Sequence, residues 1–128
     1  MSKRVLSVNE NKPMNYLLQT VLFHKYWLIC VNDVFSGMHE IRNSKRIDLI
    51  IVDLDYQKKE NLDFIEHIKT SYLYNVPMVI LVSETNKAAI ETLSLTITID
   101  KYFIKPFNPI DLCHTIDQLL LPEFIENA

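Results

Sequence analysis

Ile47-Asp48-Leu49-Ile50-Ile51-Val52-Asp53-Leu54-Asp55 contains an apolar run, Leu49 to Val52, that stops at a carboxylate. The run is too short for a helix and rich in branched side chains, the pattern of a parallel strand covered on both faces. A charge at its end falls outside the core. In open α/β sheets ligands sit just beyond the carboxyl ends of the strands, where loops aim side chains without disturbing the packing. Asp53 is therefore the first candidate for chemistry, although an Asp there also suits a turn.

The surrounding composition narrows the setting. A chain of 128 residues, 48% hydrophobic and 23% charged, is expected to form one domain, 1–128, with its own core. No apolar run approaches the roughly 18 residues of a membrane span, and residues 1–6 show no apolar signal core. The expected location is the cytoplasm, with no membrane contact. A net charge of −3 without a dense basic stripe argues against direct nucleic-acid binding. The one glycine, Gly37, excludes glycine-rich phosphate loops and dinucleotide fingerprints, which need several residues without a Cβ near the phosphates. Cys30 and Cys113 lie far apart in apolar segments without metal-ligand spacing, which predicts two reduced core thiols. His24, His39, His67 and His114 show no ligand pairing and are expected at the surface.

Outward from the central strand, apolar strands and amphipathic helices alternate. Arg4 to Val8 is a strand ending in a polar loop with Pro13, and Met14, Leu17, Leu18, Val21 and Leu22 then recur at helical spacing up to about Lys25. Trp27 to Val31 is a second strand. Asn32-Asp33 caps a helix with Val34, Met38 and Ile41 on one face, closed by the polar residues 43–46. After Asp55 a polar loop is expected over 56–61, then a helix marked by Leu62, Ile65, Ile68 and Tyr72. Pro77 introduces the strand Met78 to Val82, which stops at Ser83. A helix over Lys87 to Leu95 runs into the β-branched residues 96–99, where helix propensity is low. Tyr102 to Ile104 is a fifth strand ending in Lys105-Pro106-Phe107. Asn108-Pro109 starts a last helix with Ile110, Cys113, Ile116, Leu119 and Leu120 inward, stopped by Pro122. This order calls for an α/β fold, a doubly wound parallel sheet with right-handed crossovers and helices on both faces.

Four strand ends carry polar residues: Glu10, Asp53, Ser83 and Lys105. In a parallel sheet all four share one edge. Two carboxylates with a loop carbonyl can hold Mg²⁺, which takes a few hard oxygens and keeps several waters. A lysine ammonium and a serine hydroxyl can bind the oxygens of a phosphoryl group, and an aspartate can attack phosphorus to give an acyl phosphate. Singly each residue has a plain explanation, as a turn former, helix opener or solvated charge; their joint occurrence points to phosphoryl chemistry.

Taken together these residues resemble the receiver domain of a two-component response regulator, over essentially the whole chain. That family carries an acidic pair after the first strand, a phosphoacceptor Asp after the third, Ser or Thr after the fourth and Lys-Pro after the fifth. Asp53 precedes Ser83 by thirty positions and Lys105 by fifty-two, the family's usual spacing. The most specific match is Lys101-Tyr102-Phe103-Ile104-Lys105-Pro106-Phe107, with an aromatic three places before the lysine. The resemblance implies a five-stranded flavodoxin-like sheet of order 2-1-3-4-5. It implies phosphorylation of Asp53 by a histidine kinase or histidine phosphotransfer protein, and a Mg²⁺ site made by Glu10, Asp53 and the backbone carbonyl of Asp55. It further implies phosphoryl recognition by Lys105 and Ser83, with Tyr102 as a switch that turns inward when Ser83 moves. Such a chain is a signalling module, not an enzyme. Its output is contact with a downstream protein target or output domain, or with a second copy in a homodimer, through the fourth helix, fifth strand and fifth helix.

The chain departs from the family pattern at several places. Asn9 stands where the first acid is usual, removing one negative charge near the metal. Asn61 stands at a usual Gly, which suggests a left-handed backbone there, since Asn tolerates that conformation well. Ile97 lies near a usual small residue. Two other readings remain: a degenerate receiver that works as an unphosphorylated interaction module, and a phosphohydrolase of the haloacid-dehalogenase type, whose Asp-x-Asp motif Asp53-Leu54-Asp55 resembles. Against the hydrolase, no acidic strand end follows Lys105, because Asp111 and Asp117 fall inside the last helix.

Overall fold

A computed structural model describes residues 2–43 and 46–121. Five strands and five helices alternate: β1 (Arg4–Val8), α1 (Lys12–Leu22), β2 (Trp27–Val31), α2 (Val34–Asn43), β3 (Leu49–Asp53), α3 (Lys58–Thr70), β4 (Met78–Ser83), α4 (Lys87–Leu93), β5 (Lys101–Lys105) and α5 (Pro109–Leu120). A short 3-10 turn, Glu84–Asn86, leads into α4. All strand pairs are parallel and the order is β2-β1-β3-β4-β5, as the sequence pattern and the resemblance imply.

The side-chain period of a strand divides the core in two. On one face Leu6, Ile50, Val52, Ile80 and Val82 pack with Phe64, Ile65, Ile68 and Ile90 from α3 and α4. On the other, Val5, Leu49, Ile51, Val79 and Leu81 pack with Leu18 and Leu22 of α1 and Leu112 and Ile116 of α5. Every residue of β3 is buried, which is why its sequence is an unbroken apolar run. Burying each such aliphatic side chain contributes about 1.5–3 kcal/mol.

Side chains start the helices at the carboxyl edge of the sheet. Asn11, two residues before Pro13, and Asn108, directly before Pro109, accept the backbone N–H of Met14 (3.2 Å) and Ile110 (2.8 Å), and Asp33 accepts from Ser36 (2.8 Å). Such caps stabilise a helix by about 1 kcal/mol each. Gly37 allows close approach where α2 crosses β1, since a Cβ there would lie 3.1 Å from Val8 Cγ2.

Four expectations are corrected. The third helix begins at Lys58, inside the stretch expected as loop, and its inward stripe is Asn61, Phe64, Ile65 and Ile68. Tyr72 lies beyond its end, fully exposed. The fourth helix stops at Leu93, two residues early, and the β-branched run beyond it is irregular as expected. In α5 Ile110 is exposed and Leu112 is buried, because Ile110 lies about 200° around the helix from the stripe formed by Leu112, Thr115 and Ile116. Cys30 and Cys113 are free but half-buried, not core; Cys113 donates to the Val21 carbonyl at 3.5 Å. All four histidines are exposed. Pro122, expected to stop α5, lies outside the described residues.

Candidate functional site

Strand register brings the polar strand ends to one edge. Val8 pairs with Val52, so Asn9 and Asp53 each lie one residue beyond that pair, and Ser83 pairs with Lys105. The Asp53 side chain is fully buried at the end of β3. Its Oδ2 lies 2.5 Å from the Lys105 ammonium, and its Oδ1 accepts the Asp55 N–H at 3.0 Å. Lys105, followed by a cis peptide bond to Pro106, reaches in from the end of β5.

The same ammonium is 3.0 Å from Asp55 Oδ2. Asp55 Oδ1 accepts the Ser83 N–H and the Asn86 amide, both at 2.9 Å. One lysine is therefore shared between two carboxylates. Burial alone would lift the Asp55 carboxyl, but hydrogen bonds from the Ser83 N–H, Asn86, Lys105 and the Ser83 hydroxyl outweigh it and hold it at about 2. Burial pulls Lys105 down, yet hydrogen bonds and charge from Asp53 and Asp55 leave it raised and protonated. Two carboxylates against one cation leave the cluster with excess negative charge.

Two loops roof the cluster. Asn11 donates to the Tyr56 hydroxyl and Gln57 donates to Glu10, both at 3.2 Å, while the Tyr56 ring lies 5.9 Å from the Lys105 ammonium. The left-handed residue in this turn is Gln57, with φ of 49°, and not Asn61 as expected. The helix starts at Lys58, so the reversal falls immediately before it. Asn61 is helical and buried, and its amide donates to the carbonyls of Asp53 (2.7 Å) and Tyr56 (2.6 Å). The position calls for a side-chain donor rather than for backbone freedom.

Of the residues singled out in the sequence, the structure brings Asp53, Lys105, Ser83 and Asp55 together. Glu10 is on the exposed rim, attached to Gln57. Tyr102 lies outward on β5, 37% exposed, beside Ile97 and Ile99. The side-chain role of Asp55, the Asn86 anchor and the Tyr56 and Gln57 roof are absent from the sequence reading. In the receiver pattern Asp55 contributes only its carbonyl, and no spacing rule foretells which rotamer a loop carboxylate adopts.

The oxygens present are of the kind Mg²⁺ favours: the Glu10 and Asp53 carboxylates and the Asp55 carbonyl. They fit the ion in chemistry but are not gathered as a cage. Among the described residues no three His, Cys, Asp or Glu side chains are close enough to hold a metal. Asn9, 2% exposed, uses its oxygen to accept the Asn11 N–H at 2.8 Å and leaves its Nδ2 without a partner, a donor where an acid would assist a cation.

The family model of the response regulator receiver domain matches residues 5–117. Among solved structures, the phosphorylated cyanobacterial phytochrome response regulator RcpA is similar, at 25% identity with a TM-score of 0.77, covering 94% of this chain and 95% of that one. A response regulator from Thermotoga maritima aligns at 21% identity and TM-score 0.78, over 94% and 98% of the two chains. A signal receiver domain from Bermanella marisrubri aligns at 23% identity and TM-score 0.79, over 93% and 98%. Receiver domains are modules of two-component signalling, for which phosphorylation and Mg²⁺ binding are general features and histidine kinases and output proteins the general partners. No helix among the described residues is long and apolar enough to cross a membrane. Matched through all five strands and the loops that carry the acidic cluster, this chain belongs to the response regulator receiver domain family.

Proposed function

We propose that the chain is one receiver domain, 1–128, that works in the cytoplasm and accepts a phosphoryl group on Asp53. The observation that supports this most is the Lys105 ammonium 2.5 Å from Asp53 Oδ2, at a sheet edge shared with Ser83. A carboxylate oxygen of Asp53 attacks the phosphorus of a phosphohistidine on a kinase or phosphotransfer protein. The P–N bond breaks, the imidazole leaves as the neutral ring after taking a proton from water, and an acyl phosphate remains. Lys105 and the Ser83 hydroxyl bind phosphoryl oxygens, and Lys105 stays protonated throughout. Glu10, Asp53 and the Asp55 carbonyl would hold Mg²⁺, which would supply positive charge to offset that of the phosphoryl group. For Glu10 to serve it leaves Gln57.

Signalling follows from a shift between two states, since only contacts made in one state bias the equilibrium. Ser83 moves toward the phosphoryl group and Tyr102 turns from its exposed position into the vacated space. The surface of α4, β5 and α5 then changes for a downstream protein, an output domain or a second copy. A degenerate receiver is favoured by one observation, the neutral Asn9 with its unpartnered amide. Beryllofluoride with Mg²⁺ separates the two readings. The expected result is movement of the Ser83, Tyr102 and Lys105 amide resonances in the native chain and none in Asp53→Asn. No change in either chain supports the degenerate module, and turnover of a generic phosphate ester supports the hydrolase.

A further inference from the structure

Lys105, the cation assigned to the phosphoryl group, is already occupied. Lys105 Nζ is 3.0 Å from Asp55 Oδ2, and the Ser83 N–H is 2.9 Å from Asp55 Oδ1. A carboxylate presents two acceptor oxygens and a phosphoryl group three, so the two anions call on the same ammonium. The bond from Asn86 at 2.9 Å secures Asp55 independently of Lys105.

We propose that the Asp55 carboxylate is a built-in competitor for the phosphoryl-binding lysine, and that phosphorylation of Asp53 requires it to release Lys105. The inference rests on Asp53 being the phosphoacceptor. A phosphoryl group adds about 1.5–2 negative charges beside two carboxylates that already share one ammonium. Lys105 cannot remain 3.0 Å from Asp55 and also give its full charge to the incoming oxygens. Asp55 is thus a positioning residue that holds the site in its unphosphorylated arrangement and slows uptake. Its neutral isostere keeps an acceptor for the Ser83 N–H but gives up the charge that competes. Loss of the Asn86 anchor keeps the charge but loosens its hold.

The test follows phosphoryl uptake from acetyl phosphate with Mg²⁺ by intact mass, in the native chain, Asp55→Asn, Asn86→Ala and Asp53→Asn. Asp55→Asn is expected to take up phosphoryl about tenfold faster and to half-saturate at a lower acetyl phosphate concentration, the scale of one lost hydrogen bond to a charged group. Asn86→Ala is expected to be intermediate, and it carries the test if Asp55→Asn fails to fold. A purely structural role for Asp55 would leave half-saturation unmoved. Uptake by Asp55→Asn alone, absent from the native chain, also supports the inference. Equal or slower uptake by both variants overturns it and leaves the phosphoacceptor reading standing. No uptake by any chain, or uptake undiminished in Asp53→Asn, overturns that reading and this inference with it.

Discussion

Two buried aspartates are each held by a lysine, and they behave as opposites. Asp117, in the last turn of α5, has its Oδ2 2.7 Å from the Lys25 ammonium, while its Oδ1 accepts from the Tyr26 hydroxyl. Both partners come from the turn after α1, one cation meets one anion, and each carboxylate oxygen has its donor. Burial, together with the hydrogen bond and charge of Asp117, pushes the Tyr26 hydroxyl well above the usual range, so it stays a neutral donor. Asp53 shares its lysine with Asp55, while Asn9, at the end of the neighbouring strand, has an orphaned amide. A closed pair joins α1 to α5, whereas an unbalanced one leaves charge and donors to be completed by something that binds.

The largest effect that would test this contrast is on stability at the closed pair. Asp117→Ala is expected to lower the unfolding free energy in urea by about 2–3 kcal/mol, because the buried Tyr26 hydroxyl loses its acceptor, while the largely exposed Lys25 ammonium turns to water. Asp53→Asn should cost less than about 1 kcal/mol, since Lys105 retains Asp55. An equal loss in the two variants would erase the distinction. Tyr26→Phe is intermediate, at about 1–2 kcal/mol, leaving the Asp117–Lys25 bond but one buried oxygen unmet.

A smaller effect appears with acid. The Asp55 carboxyl titrates at about 2 in the folded chain, below its ordinary 3.8. Its contribution to stability is fully present above the ordinary value and is lost as pH falls through about 4 towards 2, an effect of about 1 kcal/mol after solvent screening. Urea midpoints across that range should slope less in Asp55→Asn than in the native chain; parallel slopes would show that Asp55 is not held as described. Smallest of all is Gly37→Ala, away from both charges. A helix-propensity gain of about 1 kcal/mol is offset by the crowding of Val8, for a net change below about 1 kcal/mol in the same urea assay.

The fold was legible because burial writes itself into sequence. An unbroken apolar β3 can only be a strand covered on both faces, and alternation with amphipathic helices fixes a parallel sheet. Pro13 located the start of α1 to within two residues and Asn108-Pro109 that of α5, because proline suits a first helical turn and asparagine supplies a cap. The positions of Asp53, Ser83 and Lys105 at one edge followed from strand ends alone. What sequence did not show was which way loop side chains turn. Asn61 was assigned a backbone role at a site that uses its two amide hydrogens, and Asp55 was marked for a carbonyl while its carboxylate holds the lysine. Helix ends on polar residues, as at Lys58, and the exposure of Tyr72 and Ile110 were missed because periodicity is weak in a first or last turn.

Intact mass of the native chain, Asp53→Asn and Asp117→Asn after acetyl phosphate and Mg²⁺ bears most directly on the account. The account predicts one added phosphoryl group in the native chain and in Asp117→Asn, and none in Asp53→Asn. An adduct that survives in Asp53→Asn, or none in any of the three, would contradict it.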